Sequence, residues 1–84
     1  MCSYNSINGV PSCANKWLLG DVLRKGWDFK GMVTGDSGAV RDIYASHKYA
    51  PTMNKAVIDA ISAGTDVQSA GWKQNQPWVR KVNM

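Results

Sequence analysis

The chain has 84 residues and a formal net charge of +4, from ten Lys and Arg against six acidic residues. That length gives one small domain or a piece of a larger one, and a domain of this size buries only about 60% of the surface its unfolded chain exposes. A 44% hydrophobic and 19% charged composition excludes a disordered chain, and basic residues scattered without a run of four read as solvated surface rather than a nucleic-acid site.

In chain order, residues 1–4 suit the end of a strand. Residues 5–15 are rich in Asn, Ser, Gly and Pro and read as a loop punctuated by Asn8-Gly9 and Pro11. Asn15 is placed to cap a helix over 16–25, where Leu19, Val22 and Leu23 recur at helical spacing beside Leu18. Gly26 then suits the C′ position that closes it. The apolar, β-branched run Met32-Val33-Thr34 predicts a buried strand, followed at once by the small-residue turn Gly35-Asp36-Ser37-Gly38. A helical turn over 39–44 and a loop over 45–51 come next. Thr52 is a second candidate N-cap, for a helix over 53–63 that turns Val57, Ala60 and Ile61 inward and closes on Gly64. Residues 65–67 suit a last short strand.

This β-α-β-α-β order with short loops predicts an α/β fold with parallel strands and crossover helices. Two such units match consecutive sectors of a TIM-type (β/α)8 barrel, of which 84 residues supply about a third, or part of an open doubly wound sheet. Residues 71–84 form an unassigned tail of the single partial domain 1–84. There, Trp72 and Trp78 read as packing or stranded apolar surface.

Cys2 and Cys13 are open between a disulfide, two free thiols, or one of each. Two Cys and one His fall short of the four ligands of a structural zinc site, so neither metal nor cofactor is expected. No apolar run approaches the roughly 20 residues of a membrane span, which argues against a membrane partner, and Met1 is followed by no basic and apolar leader.

Three segments together resemble glycoside hydrolase family 3, the β-glucosidases and β-xylosidases. They are residues 1–11 (MCSYNSINGVP), residues 18–40 ending in Gly35-Asp36-Ser37-Gly38-Ala39-Val40, and Ala63-Gly64-Thr65-Asp66-Val67. The family-like region is about 1–70. The resemblance implies a fragment of the catalytic barrel in which Asp36 is the nucleophile. Tyr4 then hydrogen-bonds near that nucleophile, and Met1 and Ser37 line the sugar. Many β-glucosidases of the family carry a sugar-stacking Trp where Ser37 stands, and the Asp-Ser-Gly-Ala wording is closer to the xylosidase-like form. The implied substrate is a terminal β-linked glucoside or xyloside of plant polysaccharide. Full-length relatives are often secreted or periplasmic, and Met1 coincides with an internal methionine of the family motif, which suggests truncation.

Retaining glycosidases use two carboxyl groups about 5–5.5 Å apart, one the nucleophile and one the acid/base. All six acidic residues here are Asp, with no Glu, whereas the resembled family usually takes its acid/base from a second domain, commonly as a Glu. Asp42 and Asp66 are the nearest substitutes, and Asp66 reads better as a structural strand-end group. The expected activity of the isolated chain is weak or nil, and the alternative is a non-catalytic module that binds sugar weakly or self-associates through exposed strand edges. His47 and Lys48 read as a solvated loop pair, and Trp17 and Trp27 as packing residues.

Overall fold

The computed structural model of the protein describes residues 1–68; the expectations for Trp72, Trp78 and the tail fall outside the described residues. Asn8 and Gly9 both take left-handed backbone, with φ of 53° and 80°. This is the geometry an Asn-Gly pair supplies to a two-residue hairpin. They join β1 (Ser6–Ile7) to β2 (Val10–Pro11), with Ser6 opposite Pro11 and Ile7 opposite Val10. A 3-10 turn over Ser12–Ala14 follows. The stretch expected as a loop therefore holds local structure, organised by the turn pair it contains.

Asn15 caps the next helix as expected: its side-chain oxygen accepts from the Leu18 N–H at 3.0 Å and its carbonyl from the Leu19 N–H at 3.0 Å. The helix spans Trp17–Gly26 and is wound as a π-helix, wider than the α-helix its leucine spacing predicts. Its end also differs from expectation. Gly26 is its last residue, Trp27 caps it with the Trp27 N–H on the Val22 carbonyl at 2.9 Å, and the left-handed step falls at Asp28, φ 55°. Leu19 is buried, with Leu18 and Leu23 packed against the core. Trp17 and Trp27 are 54% and 73% exposed, contrary to the packing role expected of them, because the inward stripe is taken by the leucines.

β3 (Thr34–Gly35) and β4 (Val67–Gln68) pair in parallel, with Thr34 opposite Val67 and Gly35 opposite Gln68. On the other side of β3, Cys2 forms a parallel bridge with Gly35. Three successive segments thus run parallel in chain order, with helices in the crossovers, as an α/β fold requires. Pairing is set one to two residues later than the apolar runs suggest. Val33 is held instead by Asp66, whose N–H donates to the Val33 carbonyl and whose Oδ2 accepts the Val33 N–H, both at 2.8 Å.

Between β3 and β4 lie α1 (Ala39–Ala45) and α2 (Met53–Ala63). Thr52 caps α2 by accepting the Lys55 N–H at 3.1 Å, and Gly64 closes it with φ 127°. Val40 and Ile43 of α1 and Ala56, Val57 and Ala60 of α2 are fully buried. They form one core with Cys13, Ala14 and Val33. The small residues of α2 let α1 and the 3-10 turn approach it closely. Burying each of Val40, Ile43 and Val57 contributes about 1.5–3 kcal/mol, against about 1–2 kcal/mol of backbone entropy for every residue ordered. A core this small needs a cross-link, and Cys2 and Cys13 supply it as a disulfide, with Cα atoms 5.3 Å apart.

Candidate active site

Gly35 ends β3 in a place with little room. A Cβ there would lie 3.3 Å from Val40 Cγ2 and 3.5 Å from Cys13 Sγ. This close approach brings the next residue, Asp36, over the first turn of α1. The Asp36 N–H donates to the Cys2 carbonyl at 3.0 Å and its carbonyl accepts the Ala39 N–H at 2.8 Å. Gly38 makes the reversal into α1 with φ 77°. The half-buried Asp36 side chain accepts the Ser37 N–H on Oδ1 at 2.8 Å.

Tyr4 and Ser37 come together beside it. The Tyr4 hydroxyl donates to the Ser37 carbonyl at 2.6 Å, so this bond goes to the residue after Asp36 rather than to the carboxylate itself. Even so, the phenol feels the acid. Its pKa is raised above 10.0 by partial desolvation first, then by the charge of Asp36 and a hydrogen-bonding contribution from it, and then by the charge of Asp42. Met1 stands apart, 78% exposed. It borders a separate apolar cleft of about 350 Å³ whose walls include Leu18, Leu23, Phe29, Met32 and Val33.

His47 is half-buried and bonded, not the solvated loop residue expected. Its Nε2 lies 2.6 Å from the Tyr4 carbonyl, and its backbone N–H donates to the Asp42 carbonyl at 2.8 Å. No sequence signal marks this, because the contact spans 43 positions. Asp42 also accepts from Ser46 Oγ at 3.1 Å.

Asp66 is committed elsewhere. Its Oδ2 takes Arg24 Nη2 at 2.8 Å as well as the Val33 N–H, while Arg24 also donates to the carbonyls of Gly31 and Gly64 at 3.2 and 2.9 Å. In the parallel register Asp66 lies level with Val33, three positions before Asp36, or about 10 Å of strand rise. That is too far for a carboxyl pair acting on one glycosidic bond. Among the described residues, no group of three His, Cys, Asp or Glu is placed to hold a metal ion, and no helix is long and apolar enough to cross a membrane.

A strand that delivers a carboxylate into a turn of small residues, over a helix N-terminus and beside a tyrosine, matches known proteins in sequence and in shape. Residues 1–80 match the model of the glycosyl hydrolase family 3 N-terminal domain. A probable exo-1,4-β-xylosidase of Aspergillus terreus is 50% identical over 70 residues, covering 80% of this chain and 9% of that protein. An exo-1,4-β-xylosidase of Emericella nidulans is 51% identical over 69 residues, again 80% and 9%. Among solved structures, a family 3 exo-β-xylosidase in complex with a xylobiose aziridine activity-based probe superposes with a TM-score of 0.84 at 38% identity, covering 99% of this chain and 11% of that one. A β-glucosidase from Erythrobacter marinus gives 0.82 at 34% identity, covering 95% and 11%. The chain belongs to glycosyl hydrolase family 3, and it spans about a tenth of the length of these relatives.

Proposed function

We propose that the chain is a sector of a family 3 catalytic (β/α)8 barrel that acts on terminal β-linked xylose or glucose by the retaining mechanism, with Asp36 as nucleophile. The observation that carries this reading is the seat of Asp36, directly beyond the C-terminal end of a parallel strand, where barrel active sites lie. Its main chain is tied to Cys2 and its carboxylate receives the Ser37 N–H. Ser37 and Tyr4 border the sugar on this reading; the sugar-lining role of Met1 rests on the family resemblance alone. The substrate class is supported by the names of the relatives, exo-1,4-β-xylosidases and a β-glucosidase. The Cys2–Cys13 disulfide supports an oxidising, exported location.

The chemistry divides between what the chain holds and what it lacks. An ionised Asp36 attacks the anomeric carbon and forms the glycosyl-enzyme. A second carboxyl, protonated for the first step, must give its proton to the leaving oxygen and then activate water. The chain has no Glu, and Asp66 is held in its ion pair. Without that partner the ~10²–10⁴-fold of general acid–base catalysis is missing. Aryl glycosides with good leaving groups, which need least acid assistance, are therefore the substrates to test. Hydrolysis of aryl β-xyloside or β-glucoside by the purified chain that vanishes in Asp36→Ala supports the assignment; equal rates in both remove it.

A second reading is favoured by the apolar cleft. Met1, Trp27 and Met32 on its border are 78%, 73% and 64% exposed, and exposed apolar surface of this kind marks an association site. In this reading the chain is a catalytically incomplete module that binds sugar weakly or self-associates. Sedimentation equilibrium distinguishes the two: a mass well above 9.2 kDa supports association, and a monomer at all concentrations excludes it.

A further inference from the structure

Tyr4 lies two positions past Cys2, the only residue of the first segment that pairs with the parallel strands among the described residues. Cys2 takes both backbone bonds to the β3 region, through its N–H to the Thr34 carbonyl and its carbonyl to the Asp36 N–H. The next backbone tie is the Ser12 N–H on the Asn5 carbonyl. Among the described residues, nothing in the sheet ladder therefore sets the direction of Tyr4, which is 45% exposed. Two contacts from elsewhere grip it. His47 Nε2 meets its carbonyl at 2.6 Å, and its own hydroxyl meets the Ser37 carbonyl at 2.6 Å. Ser37 in turn gives its N–H to the Asp36 carboxylate at 2.8 Å.

We infer that His47 is a positioning residue for the Asp36 site: by holding the Tyr4 main chain it fixes the phenol against Ser37, and so fixes the residue whose N–H meets the carboxylate. The inference deepens the reading of Asp36 as nucleophile and takes its functional weight from that reading. The direction of the His47 bond follows from chemistry. A carbonyl only accepts, so Nε2 carries the hydrogen. His47 is itself fixed by its backbone bond to Asp42, which ties the brace to the middle of α1. The groups facing Tyr4 are then Asp36 and Asp42, the two acids whose charges raise its pKa.

The test reads the phenol directly and needs no turnover. The chain is prepared with ring-labelled tyrosine, the Tyr4 signal is assigned by its loss in Tyr4→Phe, and its titration is followed by NMR. In His47→Ala the Tyr4 transition moves down toward the ordinary tyrosine value, while the thermal midpoint shows that the domain stays folded. In His47→Gln, whose side-chain amide offers a donor to the same carbonyl, the transition stays at its parental position. An unmoved Tyr4 transition in folded His47→Ala overturns the inference. Should His47→Ala unfold, His47→Met keeps the volume without the donor and takes its place. Loss of the fold in both also overturns it, since the bond would then hold the whole domain rather than one phenol. The outcome is separable from that of the activity assay: an inactive chain with a His47-dependent Tyr4 titration leaves the brace standing and removes only the catalytic reading.

Discussion

The backbone N–H of Asp36 donates to the carbonyl of Cys2 at 3.0 Å, and Cys2 is the residue cross-linked to Cys13. One residue therefore seats the candidate nucleophile and ties the first parallel segment to the 3-10 turn. Thr65, buried at the entry to β4, completes the arrangement by donating its hydroxyl to the Cys13 carbonyl at 2.9 Å. The disulfide, the central strand and the candidate site form one mechanical unit.

Opening that cross-link is expected to destabilise the domain substantially. Closing a loop of about a dozen residues removes roughly 3 kcal/mol of unfolded-state freedom, a large share of the margin of so small a core. Urea unfolding with and without reductant, alongside the Cys2→Ser/Cys13→Ser double variant, should show the midpoint falling in both cases. A midpoint indifferent to reductant would contradict a structural role for the bond.

Asp66→Ala is expected to lower stability by about 1 kcal/mol. It removes the acceptor of both Arg24 Nη2 and the Val33 N–H, but the carboxylate is 48% exposed, so solvent screening keeps the ion-pair share small. Asp66→Asn, which keeps an acceptor oxygen, should lie between the parent and the alanine variant. Equal losses in the two would place the whole effect in the charge and none in the Val33 bond.

Tyr4 gives the chain an alkaline liability whose sign follows from its raised pKa. The folded chain binds the phenolic proton more tightly than the unfolded chain, so this contribution is fully present below pH 10.0 and is lost as pH rises from there through the folded pKa. Tyr4→Phe should abolish that component, making its urea midpoint fall less than the parent's between about pH 9 and pH 11. Asp36→Asn should lower the Tyr4 pKa by removing the largest charge acting on it. A Tyr4 titration identical in parent and Asp36→Asn would show that the two groups do not interact.

Gly64→Ala is expected to cost 1 kcal/mol or somewhat more, about the size of a misplaced left-handed alanine. Gly64 has φ 127°, and a Cβ would sit 3.2 Å from Leu19 Cβ, between α2 and the π-helix. Thermal unfolding checks this; a neutral result would mean that the α2 terminus relaxes without disturbing Leu19.

The sequence by itself determined what depends on neighbouring residues. Thr52 and Gly64 bound α2 because a side-chain cap and a left-handed glycine act within one turn of chain. Asn15 caps for the same reason, and Asn8-Gly9 makes its turn from local backbone preference. The alternation of short apolar runs with helices was enough for an α/β fold with parallel strands. The flanks of Asp36 were enough for the family, because they are contiguous and specific. Tertiary structure decided the rest, since it depends on pairs that no local pattern links. Cys2 and Cys13 became a disulfide only once the first segment lay beside β3 and the 3-10 turn folded beneath it. Trp17 and Trp27 lost their expected packing role to the leucine stripe of a helix whose π winding its spacing did not reveal. Tyr4 was expected to hydrogen-bond near Asp36, and the fold makes its partner the carbonyl of Ser37. His47 looked like a solvated loop residue until folding brought it 2.6 Å from a carbonyl 43 positions away. Contacts across such separations are fixed by the packing of α1 and α2 on the strands, and that packing belongs to the whole fold rather than to any stretch of its sequence.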